Sequence, residues 1–498
     1  MAMKNTFKDN QNLAIINAYN RQLVDALKYK GGGMVDQAIV VIYLIGILIL
    51  GVWAGKGVSS MKQFSVAGRS FGTMVIFLTL SASFIGGGFS MGNAEKVFLF
   101  GIVNIFALWG FSIKEILVAT LIAPRMDKYP NAISIGDIMY ENYGNIAKIV
   151  TGILSIILCA GILGAQVGAI GYIFNVFLGI PQLYGILVGT GIVIVYSTIG
   201  GMRSVVFTDI VQFFILSIGI TMTLIFGYFY VGGWSAIAAS VPATHFTFLG
   251  SDWTLMQFIS LFLTFLLGET LIQPYVQRLF LSKKASNTAK ATLWSGIFSF
   301  PFFVITGFIG IIALTIDPEL NPNLAMPFVI TEVLPIGLKG LVIAGVISIV
   351  MSSADSFLNG ASVAFTHDVV KPLRSKEMSE KQELALTRIF NIFVGILAVI
   401  VAIKIKSILD ILIYSYNFWS PVMLVPLVAA IMGLKVNIKH FIAGASAGVL
   451  GVLIWNFVFD SPGDFNGLIV GVFCNFLAFF IAYYVDQKRE VSGISNTR

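Results

Sequence analysis

Four side chains that carry oxygen fall within five residues of one apolar stretch of the sequence. They belong to Ser352, Ser353, Asp355 and Ser356, and a helix would place them within about one and a quarter turns. Hard cations prefer oxygen ligands from hydroxyls, carboxylates and carbonyls. The pattern therefore predicts a site for an alkali cation, although serines that bond to their own helix are the structural alternative.

Ionisable side chains inside other apolar runs are further candidates, because charge within a membrane is costly and is by default functional. They are Asp209, Glu269 and the neighbours Lys114 and Glu115. A carboxylate at Glu269 could bind an ammonium group on a solute, or it could pair internally with Lys114 or Arg278, and we favour the internal pair. Lys114 and Glu115 are interpreted as a structural or gating ion pair.

The composition indicates which elements must position these groups. Of the 498 residues, 57% are hydrophobic and 11% are charged, whereas a soluble domain has about 25% charged residues. This composition excludes a soluble enzyme. The net charge of +7 is dispersed among loops, which excludes a nucleic-acid-binding protein. Cys159 and Cys474 lie far apart in apolar runs and predict neither a disulfide framework nor a metal site.

The apolar runs predict an all-α membrane protein, since a helix needs about 20 apolar residues to span a bilayer. Thirteen runs are long enough. They cover residues 36–54, 71–93, 98–123, 149–178, 181–199, 205–230, 256–281, 292–316, 337–368, 385–404, 407–434, 439–457 and 466–485. The expected organisation is a polar, amphipathic leader (1–33), a first transmembrane helix (34–57), two halves (71–230 and 256–434), two peripheral helices (438–485) and a tail (486–498).

Basic residues are concentrated in alternate loops. The intervening loops 231–255, 317–327 and 458–465 contain no Lys or Arg. Cytoplasmic loops are enriched in Lys and Arg, so the carboxyl terminus is predicted to be cytoplasmic. With an odd number of spans, the amino terminus lies outside the plasma or inner membrane.

Two predicted spans are interrupted by residues that break helices. Span 71–93 contains Gly86, Gly87 and Gly88, and span 256–281 contains Gly268 and then Gln273 and Pro274. These spans open two consecutive sets of five, and interrupted helices at corresponding positions of two halves indicate a transporter site at the membrane midplane. Close helix packing through small residues is the structural alternative.

Three stretches of the sequence resemble the solute:sodium symporter family, which has the leucine-transporter-type fold. Residues 200–212 are similar to a family signature, residues 351–359 resemble its eighth core helix, and Gly68–Gly72 with Ser81–Ser83 resembles the entry to its first core helix. The resemblance implies a five-plus-five inverted repeat and sodium-coupled symport by alternating access. The partners implied are Na⁺, a small-molecule solute and the lipid bilayer.

The resemblance also implies which residues bind the ion and the solute. The main sodium site would use the backbone oxygens of Ala82, Ile85 and Ile349 and the hydroxyls of Ser352 and Ser353. A second sodium site, present in some members, would use Asp209, Ser352, Asp355 and Ser356. The candidate solute-binding residues are Phe84, Gly86, Gly87, Gln166, Glu269, Thr270, Gln273, Tyr414 and Asn417.

Residues around the two interruptions resemble two branches of this family. Residues 83–95 and 275–278 resemble the high-affinity choline transporter branch, whereas Gln273 and Pro274 resemble the proline carriers. We therefore expect a small organic solute with a cationic or zwitterionic group. Two alternatives stay open at this stage: a proton-coupled carrier that uses Asp209, Asp355 or Glu269, and a membrane solute sensor with a transporter fold.

Overall fold

The chain folds into helices joined by short loops. The computed structural model describes residues 33–250, 253–404 and 408–491, without the side chains of 404–418 and 490–491. The helices are α1 (Met34–Gly55), α2 (Met61–Val66), α3 (Thr73–Phe84), α4 (Gly87–Phe100), α5 (Val103–Lys128), α6 (Ile135–Tyr143), α7 (Asn145–Leu178), α8 (Gln182–Gly200), α9 (Met202–Tyr230), α10 (Trp234–Ser240), α11 (Leu255–Leu267), α12 (Gln273–Leu279), α13 (Ala285–Ile316), α14 (Ala325–Val333), α15 (Leu338–Leu373), α16 (Glu380–Lys404), α17 (Ile408–Met432), α18 (Ile438–Phe457) and α19 (Gly467–Val491).

Ten helices in the described part of the chain are long and apolar enough to cross a bilayer, and the bent pair α3 and α4 makes an eleventh crossing if it counts as one span. The remaining two of the thirteen predicted spans correspond to α11 with α12 and to α17. Their apolar segments, Leu255–Leu267 and Trp419–Met432, are short. The all-helical membrane fold is thus confirmed, while the count of thirteen stays a prediction. The predicted leader lies outside the described residues.

The first interruption lies where the glycine triplet predicts it. Helix α3 ends at Phe84, Ile85 has non-helical dihedral angles (φ −88°, ψ 62°), and α4 starts at Gly87 after a bend of 52°. A Cβ atom at Gly86 would lie 2.9 Å from Ser353 Oγ. Glycine therefore allows the chain to change direction in close contact with α15.

The second interruption separates α11 from α12. Leu271 has a positive φ of 54°, a strained conformation for a residue with a branched side chain. Helix α17 supplies hydrogen bonds to the freed carbonyls: Ser420 Oγ donates to the carbonyls of Leu267 (2.6 Å) and Gly268 (2.7 Å), and Trp419 Nε1 donates to that of Thr270 (3.1 Å). These donors replace the helix N–H groups that the break removes.

Helix α15 lies at the centre of the bundle. Its apolar stretch is 94% buried, against 28% for α16 and 22% for α19. Because α15 carries the serine cluster of residues 352–356, the bundle holds that cluster away from lipid and opposite the first interruption.

Some helices approach each other closely through glycine. A Cβ atom at Gly310 on α13 would lie 2.1 Å from the carbonyl oxygen of Ala94 on α4, and one at Gly110 would lie 2.3 Å from that of Phe262. Real Cβ atoms do not approach a backbone oxygen so closely, so a larger residue at either glycine would separate the helices.

We expect Gly310→Ala to lower the apparent melting temperature of the purified protein by roughly 1–3 °C, because overpacking costs about 1–3 kcal/mol and a chain of this length loses about 1 °C per kcal/mol. Gly46→Ala is the matched control, since Gly46 also lies in a helix but a Cβ atom there meets nothing within 4 Å. Differential scanning fluorimetry measures both. Equal melting temperatures for the two variants would contradict this description of the packing.

Candidate functional site

The hydroxyl of Ser353 links α15 to the end of α3. It donates to the carbonyl oxygens of Ser83 (2.9 Å) and Ile349 (3.2 Å). The last carbonyls of a helix have no partner within that helix, and the predicted ligands Ala82 and Ile85 lie in this same terminal segment. The structure therefore brings the predicted main-site segments together as a set of hydroxyl and carbonyl oxygens, the ligand type that hard cations prefer.

Asp209 joins this group of oxygens from α9. Ser352 Oγ donates to Asp209 Oδ1 (2.7 Å), and Ser83 Oγ donates to Asp209 Oδ2 (3.0 Å). The hydroxyl of Thr79 also donates to Oδ2. These side chains are all buried. Asp209 thus ties α3, α9 and α15 together through hydroxyl donors.

The guanidinium group of Arg278 lies among these oxygens. This position was not predicted from the sequence. Arg278 Nη2 is 2.5 Å from Ser83 Oγ, 2.7 Å from Ser356 Oγ and 3.1 Å from Asp209 Oδ2. Its other two nitrogens, Nε and Nη1, bind Thr79 Oγ1 and the carbonyl of Pro274, both at 3.1 Å. Arg278 follows the second interruption on α12, so a single sequence gives no signal for its contact with α9.

Asp355 lies on the side of α15 that faces α8. Tyr196 on α8 donates to Asp355 Oδ2 (2.6 Å), and Ser356 Oγ donates to Oδ1 (3.1 Å). All three side chains are buried. Four residues were predicted for a second sodium site. Three of them, Asp209, Ser352 and Ser356, belong to the group of oxygens around Ser83 and Arg278. The fourth, Asp355, is connected to this group through Ser356. Tyr196 was not predicted.

A small cavity lies beside the first interruption. Four predicted solute-binding residues line it, namely Phe84, Gly86, Gln166 and Glu269. Phe89 and Phe357 line it as well, although they are not among the predicted solute-binding residues. Gly87 lies just behind the lining, where a Cβ atom would be 4.0 Å from Gln166 Oε1.

Two other predicted solute-binding side chains bond elsewhere. Thr270 Oγ1 donates to the carbonyl of Leu266 (2.8 Å), and Gln273 Oε1 accepts from the backbone N–H of Ile135 (2.9 Å). Neither belongs to the lining of the cavity, because the turn after Gly268 directs them toward the helix and toward α6. The side chains of Tyr414 and Asn417 lie outside the described residues.

The predicted ion pair of Lys114 and Glu115 is present. Lys114 Nζ is 3.1 Å from Glu115 Oε1, and Tyr275 donates to Glu115 Oε2 (2.8 Å). Lys114 Nζ also lies 3.8 Å from the centre of the Phe111 ring. Lys114 thus forms its ion pair with Glu115, and Arg278 forms its ion pair with Asp209. Neither pairs with Glu269, which was the favoured prediction.

A polar network lies at the end of the bundle where the basic loops lie. His367 joins Asp137 (2.9 Å) to Glu383 (2.6 Å), and Lys148 Nζ is 2.7 Å from Asp137 Oδ1. Burial alone would raise the pKa of Asp137, but the charges on His367 and Lys148 hold it well below its usual range. These contacts fasten the end of α15 to α6, α7 and α16.

At the opposite end of the bundle, a cleft of about 330 Å³ lies between the end of α4, α11 and the loop before α19. Its lining includes Phe100, Trp253, Gln257 and Asp464, and two of its segments belong to loops without Lys or Arg. The described residues thus form an ion-pair network at the basic end and a cleft at the other.

The chain is similar in sequence to several membrane transporters. The high-affinity choline transporter 1 of Drosophila melanogaster is 28% identical over 421 residues, which cover 77% of this chain and 63% of the fly protein. The chain thus spans less than two thirds of that relative's length. The osmoregulated proline transporter OpuE of Bacillus subtilis is 24% identical, with coverage of 83% and 87%. Both are named as transporters, in agreement with the prediction that this chain is not an enzyme.

A solved structure shares the fold. The substrate-bound, outward-open state of a Na⁺-coupled sialic acid symporter matches with a TM-score of 0.80 at 20% identity, and the match covers 91% of this chain and 98% of the other. The model of the sodium:solute symporter family matches residues 64–450. The chain therefore belongs to the sodium:solute symporter family.

Proposed function

We propose that this protein is a sodium-coupled symporter that imports a small organic solute by alternating access. The observation that carries the proposal is the position of Ser353, whose hydroxyl meets the carbonyl of Ser83 at an interrupted helix and also borders a cavity. The proposed sodium ligands are the carbonyls of Ala82, Ile85 and Ile349 with the hydroxyls of Ser352 and Ser353. In this arrangement the proposed ion and solute sites share one wall.

The arrangement suggests how the ion and the solute are coupled. Sodium would bind α3 to α15 and thereby hold Gly86 in position at the cavity. A membrane potential supplies about 2.3 kcal/mol per charge per 100 mV, which favours entry of the ion from outside. When sodium leaves on the cytoplasmic side, the link that the ion makes between α3 and α15 is lost. The solute site then loses one wall.

The two ends of the bundle support an outward-facing assignment. The network around Asp137 and His367 closes the basic end, which we assign to the cytoplasm, while the cleft at Asp464 opens to the outside. This orientation places the amino terminus outside and the carboxyl terminus in the cytoplasm. We further propose thirteen spans, with residues 71–230 and 256–434 as the two inverted repeats.

The cavity favours a solute whose ammonium group carries N–H donors. Glu269 supplies a carboxylate, and Gln166 Oε1 accepts no hydrogen bond from the described part of the chain. A trimethylammonium group has no N–H and instead needs aromatic faces. Three phenylalanines line the cavity. Arg278 already lies 5.4 Å from the centre of the Phe84 ring, and Phe89 packs against Phe111 and Phe303. We therefore propose a zwitterion such as an amino acid of the proline type, with choline- or betaine-like solutes as the alternative.

We expect Ser353→Ala to raise the sodium concentration needed for half-maximal thermal stabilisation by roughly tenfold, which corresponds to about 1.4 kcal/mol for one lost ligand. Ser362→Ala is the matched control, because Ser362 also lies buried on α15 but bonds to Leu358 and Asn391. Sodium titrations against a potassium background measure both variants. If Ser353→Ala responds to sodium as the wild type does, the ion site is assigned wrongly.

We expect proline, screened with choline, betaine, monocarboxylates and sugars, to raise the melting temperature in sodium but not in potassium. A ligand that binds only the native state stabilises it by mass action. Glu269→Gln should weaken that response by about tenfold, since it removes the charge opposite the ammonium group. A shift with proline that is equal in sodium and potassium would indicate proton-coupled or uncoupled transport instead.

A further inference from the structure

We propose that the guanidinium group of Arg278 takes the place of a second sodium ion, so that the carrier binds one sodium ion per cycle. This inference rests on the proposed function, because it presupposes the main sodium site. It concerns the buried group formed by Asp209, Asp355, Arg278 and the hydroxyls of Ser83, Ser352 and Ser356, which we call the carboxylate cluster.

The position of Arg278 supports this assignment. A second ion would need Asp209 and Ser356 as ligands, and Arg278 Nη2 already lies 3.1 Å from Asp209 Oδ2 and 2.7 Å from Ser356 Oγ. All three nitrogens of the guanidinium group have oxygen partners. A sodium ion that bound the same oxygens would have to displace these N–H donors and would face a like charge within a few ångströms.

The charges of the cluster lead to the same conclusion. Asp209 and Asp355 each contribute −1 when ionised, and Arg278 contributes +1, so the formal sum is −1. All three side chains are fully buried, and buried charge is costly unless it is balanced. One sodium ion at the main site, which shares Ser352 with the cluster, brings the sum to zero. A second sodium ion would leave an unbalanced positive charge.

The hydrogen bonds around Ser352 connect the two sites. Ser352 Oγ donates a hydrogen bond to Asp209 Oδ1 at 2.7 Å. The lone pairs of Ser352 Oγ therefore remain available to a cation at the main site. Arg278 and Asp209 are therefore positioning residues for the main ion: they neutralise the neighbouring position and orient one ligand. Without the arginine, the same carboxylates would carry −2 and would bind two cations.

The test is equilibrium binding of radiolabelled sodium to the purified full-length protein in detergent. The wild type should bind one ion per chain with a Hill coefficient of about 1. Arg278→Gln should bind two ions, whereas Arg278→Lys, which keeps a positive charge, should bind one. The double variant Arg278→Gln with Asp209→Asn should return to one ion, because it removes one carboxylate as well. Arg125→Gln, outside the cluster, is the matched control and should also bind one.

Each outcome decides a different point. Two ions in the wild type would overturn this inference and leave the proposed symport intact, whereas no sodium binding at all would overturn the proposed function. A folded Arg278→Gln that still binds one ion would also overturn the inference. If Arg278→Gln does not fold, Asp355→Asn provides the test. This variant makes the cluster neutral without sodium, so its affinity for sodium should be roughly tenfold lower than that of the wild type. The wild type should still bind one ion. An unchanged affinity would contradict the charge balance.

Discussion

The site depends on one constraint, namely that a backbone carbonyl inside a bilayer must find a partner. Helix α3 stops at Phe84, and its last carbonyls lose the N–H groups that a continuous helix would supply. Ser353 on α15 meets one of them, at Ser83. At the second interruption, Ser420 and Trp419 of α17 donate to the freed carbonyls in the same manner. The first break differs in its surroundings, because Ser352 and Asp209 add further oxygens beside it.

The carboxylate cluster adds a second constraint, because buried charges must balance. Arg278 belongs to α12, the segment that follows the second interruption, whereas Ser352 belongs to the proposed sodium site. Asp209 contacts both of them. A displacement of α12 would move the guanidinium group away from Asp209 and would change the environment of Ser352. The cluster thus gives a physical connection between the interruption beside Glu269 and the ion site.

The sequence predicts those features that local chemistry determines. The glycine triplet predicts the break before Gly87, the serine spacing predicts which hydroxyls share a region of α15, and neighbouring charges predict the pair of Lys114 and Glu115. Partners from distant helices are different, because apolar periodicity does not determine which buried cation meets which carboxylate. Glu269 was therefore expected to pair with Lys114 or Arg278, which instead pair with Glu115 and Asp209. The contact of Gln273 with Ile135 was not expected either. The interruption of span 256–281, by contrast, was predicted from Gly268, and the apolar helix ends at Leu267.

The charge balance also bears on why sodium release and inward opening would occur together. If one sodium ion neutralises the cluster, its departure leaves one carboxylate charge unbalanced, and such a charge costs several kcal/mol when it stays out of water. Water that enters from the cytoplasmic side lowers this cost. The network of Asp137, His367 and Glu383 lies at the end that we assign to the cytoplasm, and there it would oppose entry of water until the ion is lost. Two states are then favourable: one with sodium bound and the cytoplasmic side closed, and one without sodium and with that side open to water. Coupled transport requires this link between ion binding and closure.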